Sequence, residues 1–298
     1  MDPALLDRLV TLAVPSTYGL AVLLIVGELV VLRRRGVALD HATGRVSLLS
    51  GLLSFGGLAV AGRLVYAGVL EVAWAHRLTD LGLGAWAWGV GFLAYDAVFY
   101  VGHRAAHEVR LLWCFHVTHH TSEQMRLSSA VRGSAFDFVY SPWFHVWLPL
   151  VGLHPGLVLV VETGSKVWGV LEHVSPDLTG RWGWLDRVLV TPSAHRVHHG
   201  RNAPYLDRNY GEILLVWDHL LGTFAEEEEV PDYGVLAPID SRSLDAVQLG
   251  PWRSLWHDLR RAPGWGARLR YLFDAPGWRH DGPDERVRAK RRAMRPAV

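Results

Sequence analysis

Eight histidines fall in three short segments: His103-Arg-Ala-Ala-His107, His116-Val-Thr-His119-His120 and His195-Arg-Val-His198-His199. Sixteen histidines spread evenly over 298 residues would place about one in stretches of that combined length, so composition does not explain the clustering. On a helix, positions i and i+3 or i+4 share a face, and each segment is expected to project its imidazoles in one direction, as metal ligands must. Neutral imidazole suits zinc, iron, copper and nickel alike, so ligand type leaves the metal open. Ligand number narrows it. Eight nitrogens exceed what a structural or a catalytic zinc site uses, whereas a pair of iron ions could use them all. Arg104 stands where the general-base glutamate of an HExxH zinc protease would be, and Glu108 lies outside the segment.

His173, between the second and third segments, is a candidate ninth ligand; His41, His76, His145, His154, His219, His257 and His280 read as ordinary polar residues. Ligating imidazoles normally donate their second ring N–H to a carboxylate or carbonyl. Asp96, Glu108, Glu123, Asp207 and Asp218 are the nearby carboxylates, and Asp96 stands two helical turns before His103 on the same expected face. Asn209, with Tyr210 and Gly211, reads as a turn that supports the third segment.

These residues must be positioned by elements that sit in lipid. Half of the chain is apolar, only 20% is charged, and mean hydropathy is +0.14, which excludes a disordered or collagen-like chain. The lone Cys114 excludes an internal disulfide, and a net charge of +1 gives no field for nucleic acid. The preference for arginine over lysine, with only Lys166 and Lys290 present, hints at a bacterial source and hence an inner membrane.

Apolar runs at Tyr18–Leu32, Val46–Leu70 and Leu81–Gly102 read as spans, and Phe136–Leu153 with Gly156–Leu171 as a membrane hairpin of two short arms. The first run, with no basic segment before it and no cleavage site after it, reads as a span rather than a removable signal. Arg33, Arg34, Arg35 and Arg45 place the first loop in the cytoplasm, and counting onward brings every histidine segment to that side. Arg63, Glu28 and the i, i+4 pair Glu162 and Lys166 lie in or near these runs; Glu28 and Arg63 are expected to snorkel. The basic stretch Arg286–Arg295 would lie against anionic headgroups. The expected fold is all-α: a transmembrane bundle over residues 1–95, a histidine-bearing catalytic region over 96–230 with the hairpin at 136–171, together forming a cytoplasmic helical cap over the bundle, and a polar cytoplasmic tail over 231–298.

From Asp96 to Phe224 the chain resembles the fatty acid hydroxylase and sterol desaturase superfamily of membrane di-iron enzymes. The resemblance extends beyond the histidines to Thr191-Pro-Ser-Ala194, Gly200-Arg-Asn202, Asp207-Arg-Asn-Tyr-Gly211, Trp217-Asp218 and Gly222-Thr-Phe224. His119-His-Thr-Ser-Glu123 followed by Leu127-Ser-Ser-Ala-Val-Arg132 is most similar to the alkylglycerol monooxygenase branch, in which a histidine also lies near position 173. Ala194, His219 and Gln124-Met125-Arg126 depart from the usual pattern, and these departures bear on substrate rather than on ligands. The resemblance implies two iron ions, O₂, a lipid drawn from the bilayer and hydroxylation beside an ether oxygen, with tetrahydrobiopterin as external reductant. No GxGxxG fingerprint is present, so electrons must come from a separate donor. A sterol, carotenoid or fatty-acyl hydroxylase or desaturase of the same superfamily is the alternative enzyme, and a non-catalytic metal-binding membrane protein or transporter the alternative of another class.

Overall fold

The computed structural model describes residues 3–57 and 68–293. Arg63, the 58–67 part of the expected second span, and Arg295 lie outside the described residues. Among the described residues there is no strand, only isolated bridges pairing Leu189 with Leu214 and Gly200 with Tyr233, so the all-helical expectation holds.

Chain order runs α1 (Pro3–Arg34), α2 (His41–Gly57), α3 (Gly68–Ala75), α4 (Ala85–Glu108), α5 (Arg110–His120) and α6 (Leu127–Ala130). It continues through α7 (Asp137–His145), α8 (Trp147–Leu150), α9 (Pro155–Glu172), α10 (Pro192–His198) and α11 (Val216–Leu221) to α12 (Leu244–Arg261), α13 (Trp265–Phe273) and α14 (Val287–Ala293).

Of the described helices, Ala4–Arg34 is the one long and apolar enough to cross a membrane. Leu12, Val22, Leu23, Val26 and Val30 lie bare along it, as an apolar solvent would require and water would not. The third apolar run does not end at Gly102: α4 continues through the first histidine segment, so that segment is the last turns of the same rod. In the hairpin, the arm at Phe136–Leu153 is broken into α7 and α8, and α9 forms the other arm. Of the three expected spans, the described helices thus supply one that meets the length and hydropathy of a crossing.

Helix α4 packs on the hairpin through Ala87, Tyr95, Leu148, Leu153, Leu157 and Val158. Gly91 permits the approach, because a Cβ there would stand 2.5 Å from Leu157 Cδ2. Glu28 does not snorkel. Buried on α1, its carboxylate accepts from Leu127 N and from Ser175 N, each at 2.8 Å, and so ties the segments that follow His120 and His173 to one helix.

The expected polar tail is folded. Leu255, Ala262, Tyr271 and Trp278 of the α12–α13 region close over Cys114 of α5, and Thr118 of α5 donates to Val247 O. The sequence there is polar on average because only one face of each helix is buried. A tail read by composition is thus a clamp on the helix that carries the second histidine segment.

Candidate metal centre

Three helices and the end of a fourth supply the imidazoles. His103 and His107 come from the end of α4, His116, His119 and His120 from α5, His173 from the C-cap of α9, and His195, His198 and His199 from α10 and its cap. Thr191 caps α10 by accepting from Ala194 N, and Pro192 occupies the first turn, where its missing N–H costs nothing.

The nine side chains form two groups, with candidate ligand atoms mutually within 4.8 Å: His103, His107, His116, His120 and His198 in one, His119, His173, His195 and His199 in the other. The second and third segments do not point one way, as expected from the sequence; each divides between the groups. In α5, His116 and His120 share a face at i, i+4, while His119 and His120 are adjacent and about 100° apart around the axis. A His-x-x-His-His segment therefore contributes to both groups at once.

In the first group Nε2 atoms lie 3.0 Å apart for His103 and His116, 3.0 Å for His116 and His120, 3.2 Å for His107 and His120, and 3.2 Å for His120 and His198. The second group closes a circuit: His119 to His173 3.1 Å, His173 to His195 3.0 Å, His195 to His199 3.0 Å, His199 to His119 3.1 Å. With metal–nitrogen bonds of about 2.1 Å, ligands at right angles stand about 3.0 Å apart and ligands at tetrahedral angles about 3.4 Å. The observed spacings are those of nitrogens that could share one metal ion.

Proton placement agrees. His103 Nδ1 faces Tyr210 O at 2.9 Å, His198 Nδ1 faces Arg208 O at 2.9 Å, and His173 Nδ1 faces Gly169 O at 2.7 Å. A carbonyl only accepts, so these three rings carry the proton on Nδ1 and present a bare Nε2 lone pair to the group centre. Burial, and then the neighbouring imidazoles, holds the other six rings below the usual histidine range; burial holds His173 and His198 at about 4. The rings are neutral at pH 7, and each neutral imidazole has one unprotonated nitrogen that can bind a cation. That donor set suits a metal ion.

The expected supporting residues divide. Asp207 Oδ1 lies 3.6 Å from His107 Nδ1 and is the one expected carboxylate beside a ring; burial, then Glu108, raises it to about 6. Asp96 instead accepts from Ile213 N at 3.0 Å and Trp217 Nε1 at 2.8 Å, holding the 209–217 loop against α4. Asp218 acts through the backbone, accepting from Tyr210 N and Gly211 N at 2.8 Å each and so setting the Tyr210 carbonyl that orients His103. Asn209 donates to Ala194 O and Ala225 O, bracing α10. Asp207 and Asn209 both have φ of 54°, a left-handed conformation that Asp and Asn tolerate. Glu108 pairs with Arg104 at 2.9 Å on the exposed side, and Glu123 is exposed. Neither meets the groups.

Sequence reasoning missed Glu172. Its Oε2 lies 3.3 Å from His195 Nδ1, and the side chain is buried. Its only signal was adjacency to His173. The carbonyls of Gly169, Arg208 and Tyr210 carry no side-chain signature at all.

A crevice of about 80 Å³ lies between α4 and α7, lined by Val98, Phe99, Gly102, Tyr140 and Phe144 together with His103 and His116. The fatty acid hydroxylase family matches residues 88–223 of the chain, the stretch that contains every one of these histidines. The chain belongs to the fatty acid hydroxylase superfamily. Within that superfamily it resembles the alkylglycerol monooxygenases: it is 36% identical to the one from Xenopus tropicalis over 68% of this chain and 45% of that protein. It is likewise 36% identical to the one from Homo sapiens over 65% of this chain and 43% of that one. An ornithine lipid hydroxylase from Rhizobium tropici is 33% identical over 45% of this chain and 40% of its own length. The chain thus spans less than half the length of these relatives. No solved structure matches it.

Proposed function

We propose that the chain is a membrane-bound, O₂-dependent di-iron hydroxylase that oxidises an alkyl ether lipid at the carbon beside the ether oxygen. The observation that carries this reading is the pair of imidazole groups lying at the end of an apolar crevice, in a chain related to alkylglycerol monooxygenases. His103, His107, His116, His120 and His198 would hold one iron ion, and His119, His173, His195 and His199 the other. Iron held there would supply the O₂ chemistry that breaks an unactivated C–H bond, which no acidic or basic side chain can do.

The chain's own residues do the rest. The crevice walls, Phe99, Tyr140 and Phe144 among them, take the alkyl chain and keep water from the reacting carbon. The carbonyls of Tyr210, Arg208 and Gly169 keep the ring protons on Nδ1, and the carboxyls of Asp207 and Glu172 stand beside Nδ1 of His107 and His195. One oxygen atom of O₂ enters the C–H bond and the other leaves as water, consuming two electrons and two protons from outside the chain. The resulting hemiacetal opens to a fatty aldehyde and a glycerol derivative.

The donor is external, and tetrahydrobiopterin is proposed from the relationship to alkylglycerol monooxygenases. The four arginines of the α1–α2 region, Arg33, Arg34, Arg35 and Arg45, support a cytoplasmic position for the histidine groups. Residues 96–230 are the proposed catalytic region. The test is to supply membranes containing the protein with an alkylglycerol, O₂ and a reduced pterin. Fatty aldehyde is expected, and it should vanish with His116→Ala. Aldehyde formed equally by that variant overturns the assignment, and a hydroxylated sterol in its place promotes the sterol-hydroxylase alternative.

A further inference from the structure

The α12–α13 pair buries one face on α5 and leaves a second apolar face uncovered. On α12, Leu249 and Trp256 stand at i and i+7 and are 37% and 62% exposed, and half-buried Trp252 between them packs toward α5. On α13, Trp265, Leu269 and Phe273 recur at i, i+4 and i+8 and are 77%, 52% and 59% exposed. Water penalises such a stripe, and isolated exposed side chains would not keep this register. Its margins are basic. Arg260 flanks the stripe on α12, where Arg253 is paired with Asp245, and Arg268 on α13 lies with its guanidinium 5.1 Å from the Trp265 ring.

The stripe also continues into a surface already assigned to lipid. Trp252 stacks edge-on against Phe115 at 4.7 Å and approaches Phe136 of the hairpin at 6.0 Å, and exposed Phe136, Val139 and Trp143 extend the same apolar surface along α7. Phe115 in turn packs on Tyr140, a wall of the crevice, at 4.7 Å.

We infer that α12 and α13 lie in the headgroup layer of an anionic membrane, with Trp256, Trp265, Leu269 and Phe273 sunk into its apolar boundary and Arg260 and Arg268 at the phosphates. The partner is the lipid surface itself. Tryptophan and arginine together are the side chains that this layer favours, one for its amphipathic ring and the other for its reach to phosphate. The face stands beside the crevice mouth, so a lipid drawn from the adjoining leaflet would pass along it. This inference rests on the membrane reading proposed above.

Cys114, the sole cysteine, is 2% exposed, with its thiol pushed up to about 12 by burial, so single new cysteines can be spin-labelled in the full chain. The chain is reconstituted in phosphatidylcholine–phosphatidylglycerol vesicles with a label at Leu269→Cys, Trp265→Cys, His257→Cys or Leu52→Cys. Relaxation by O₂ is then compared with relaxation by a water-soluble nickel chelate. Labels at 265 and 269 should favour O₂ over nickel, and the label at 257, on the polar side, the reverse. Replacing phosphatidylglycerol by phosphatidylcholine should shift the 269 label toward nickel. Nickel access at 269 equal to that at 257 overturns the inference, and so does shielding from both probes, which would mean that protein covers the stripe. The label at Leu52 on α2 separates the two readings: O₂-favouring at 52 with nickel-favouring at 269 refutes only the inference, while nickel access at 52 refutes the membrane reading beneath it.

Discussion

Glu172→Gln offers a sharp test of the two-group arrangement, because Glu172 faces one group and not the other. Its carboxylate lies 3.3 Å from His195 Nδ1, and His195 belongs to the group with His119, His173 and His199. Burial, and then Glu212 and Asp96, pushes the Glu172 carboxyl well above its ordinary range, which favours the neutral form, close in shape and charge to glutamine, when no cation is nearby. A group whose folded pKa is raised costs stability as pH climbs from its unfolded value toward the folded one, and glutamine removes that cost. Metal-free Glu172→Gln should therefore be no less stable than the parent at pH 7. Metal binding is another matter. A cation held by His195 favours the ionised carboxylate, which makes the ring a better donor; losing such a partner weakens binding by about 10- to 100-fold, or about 1.4 to 2.8 kcal/mol. Ferrous titration of purified protein, followed by calorimetry and by metal analysis after gel filtration, should show one site weakened by that factor and the other unchanged. Equal weakening at both sites, or no weakening, would refute the reasoning.

Three further outcomes follow from the same geometry. His116→Ala and His119→Ala should each lower bound metal from two ions to one per chain by metal analysis, and the double variant should bind none, because the two residues serve different groups. Gly102→Val should abolish product formation while leaving metal content intact, since a Cβ at 102 stands 2.9 Å from Phe144 Cγ in the crevice wall; Phe144→Ala should restore part of the activity. Metal-free protein should lose thermal stability as pH falls below about 6.5, the ordinary histidine value, toward the folded value of about 4 for His173 and His198. The sign follows from linkage: in that window the unfolded chain takes up protons that the folded chain refuses. Melting temperature measured against pH checks it, and a flat profile between 7 and about 4 would contradict the neutral buried rings.

The histidine pattern was legible because metal ligation demands specific side chains at helical spacing, and those are properties of local sequence. His103 to His199 could be nominated, and His173 added, without any coordinates. Apolar runs likewise announced α1 and α4, whose side chains must find lipid or core whatever their neighbours. What local sequence could not reveal is which nitrogen belongs to which ion. His119 and His120 are adjacent in the chain, yet they serve different groups, and only the crossing of α5 with α4, α9 and α10 decides that. The supporting shell was equally hidden. Asp96, the favoured carboxylate, turned to the 209–217 loop, while backbone carbonyls and Glu172 took the ring protons' side.

The stretch 231–298 shows the same division. Its average polarity suggested a tail, because composition sums over both faces of a helix, whereas burial acts on one. Residue type and spacing therefore determined which chemistry this protein carries. The packing of distant helices decided how the ligands are shared, which carbonyls fix their protons and where the apolar crevice meets them, since those depend on contacts between residues far apart in the chain.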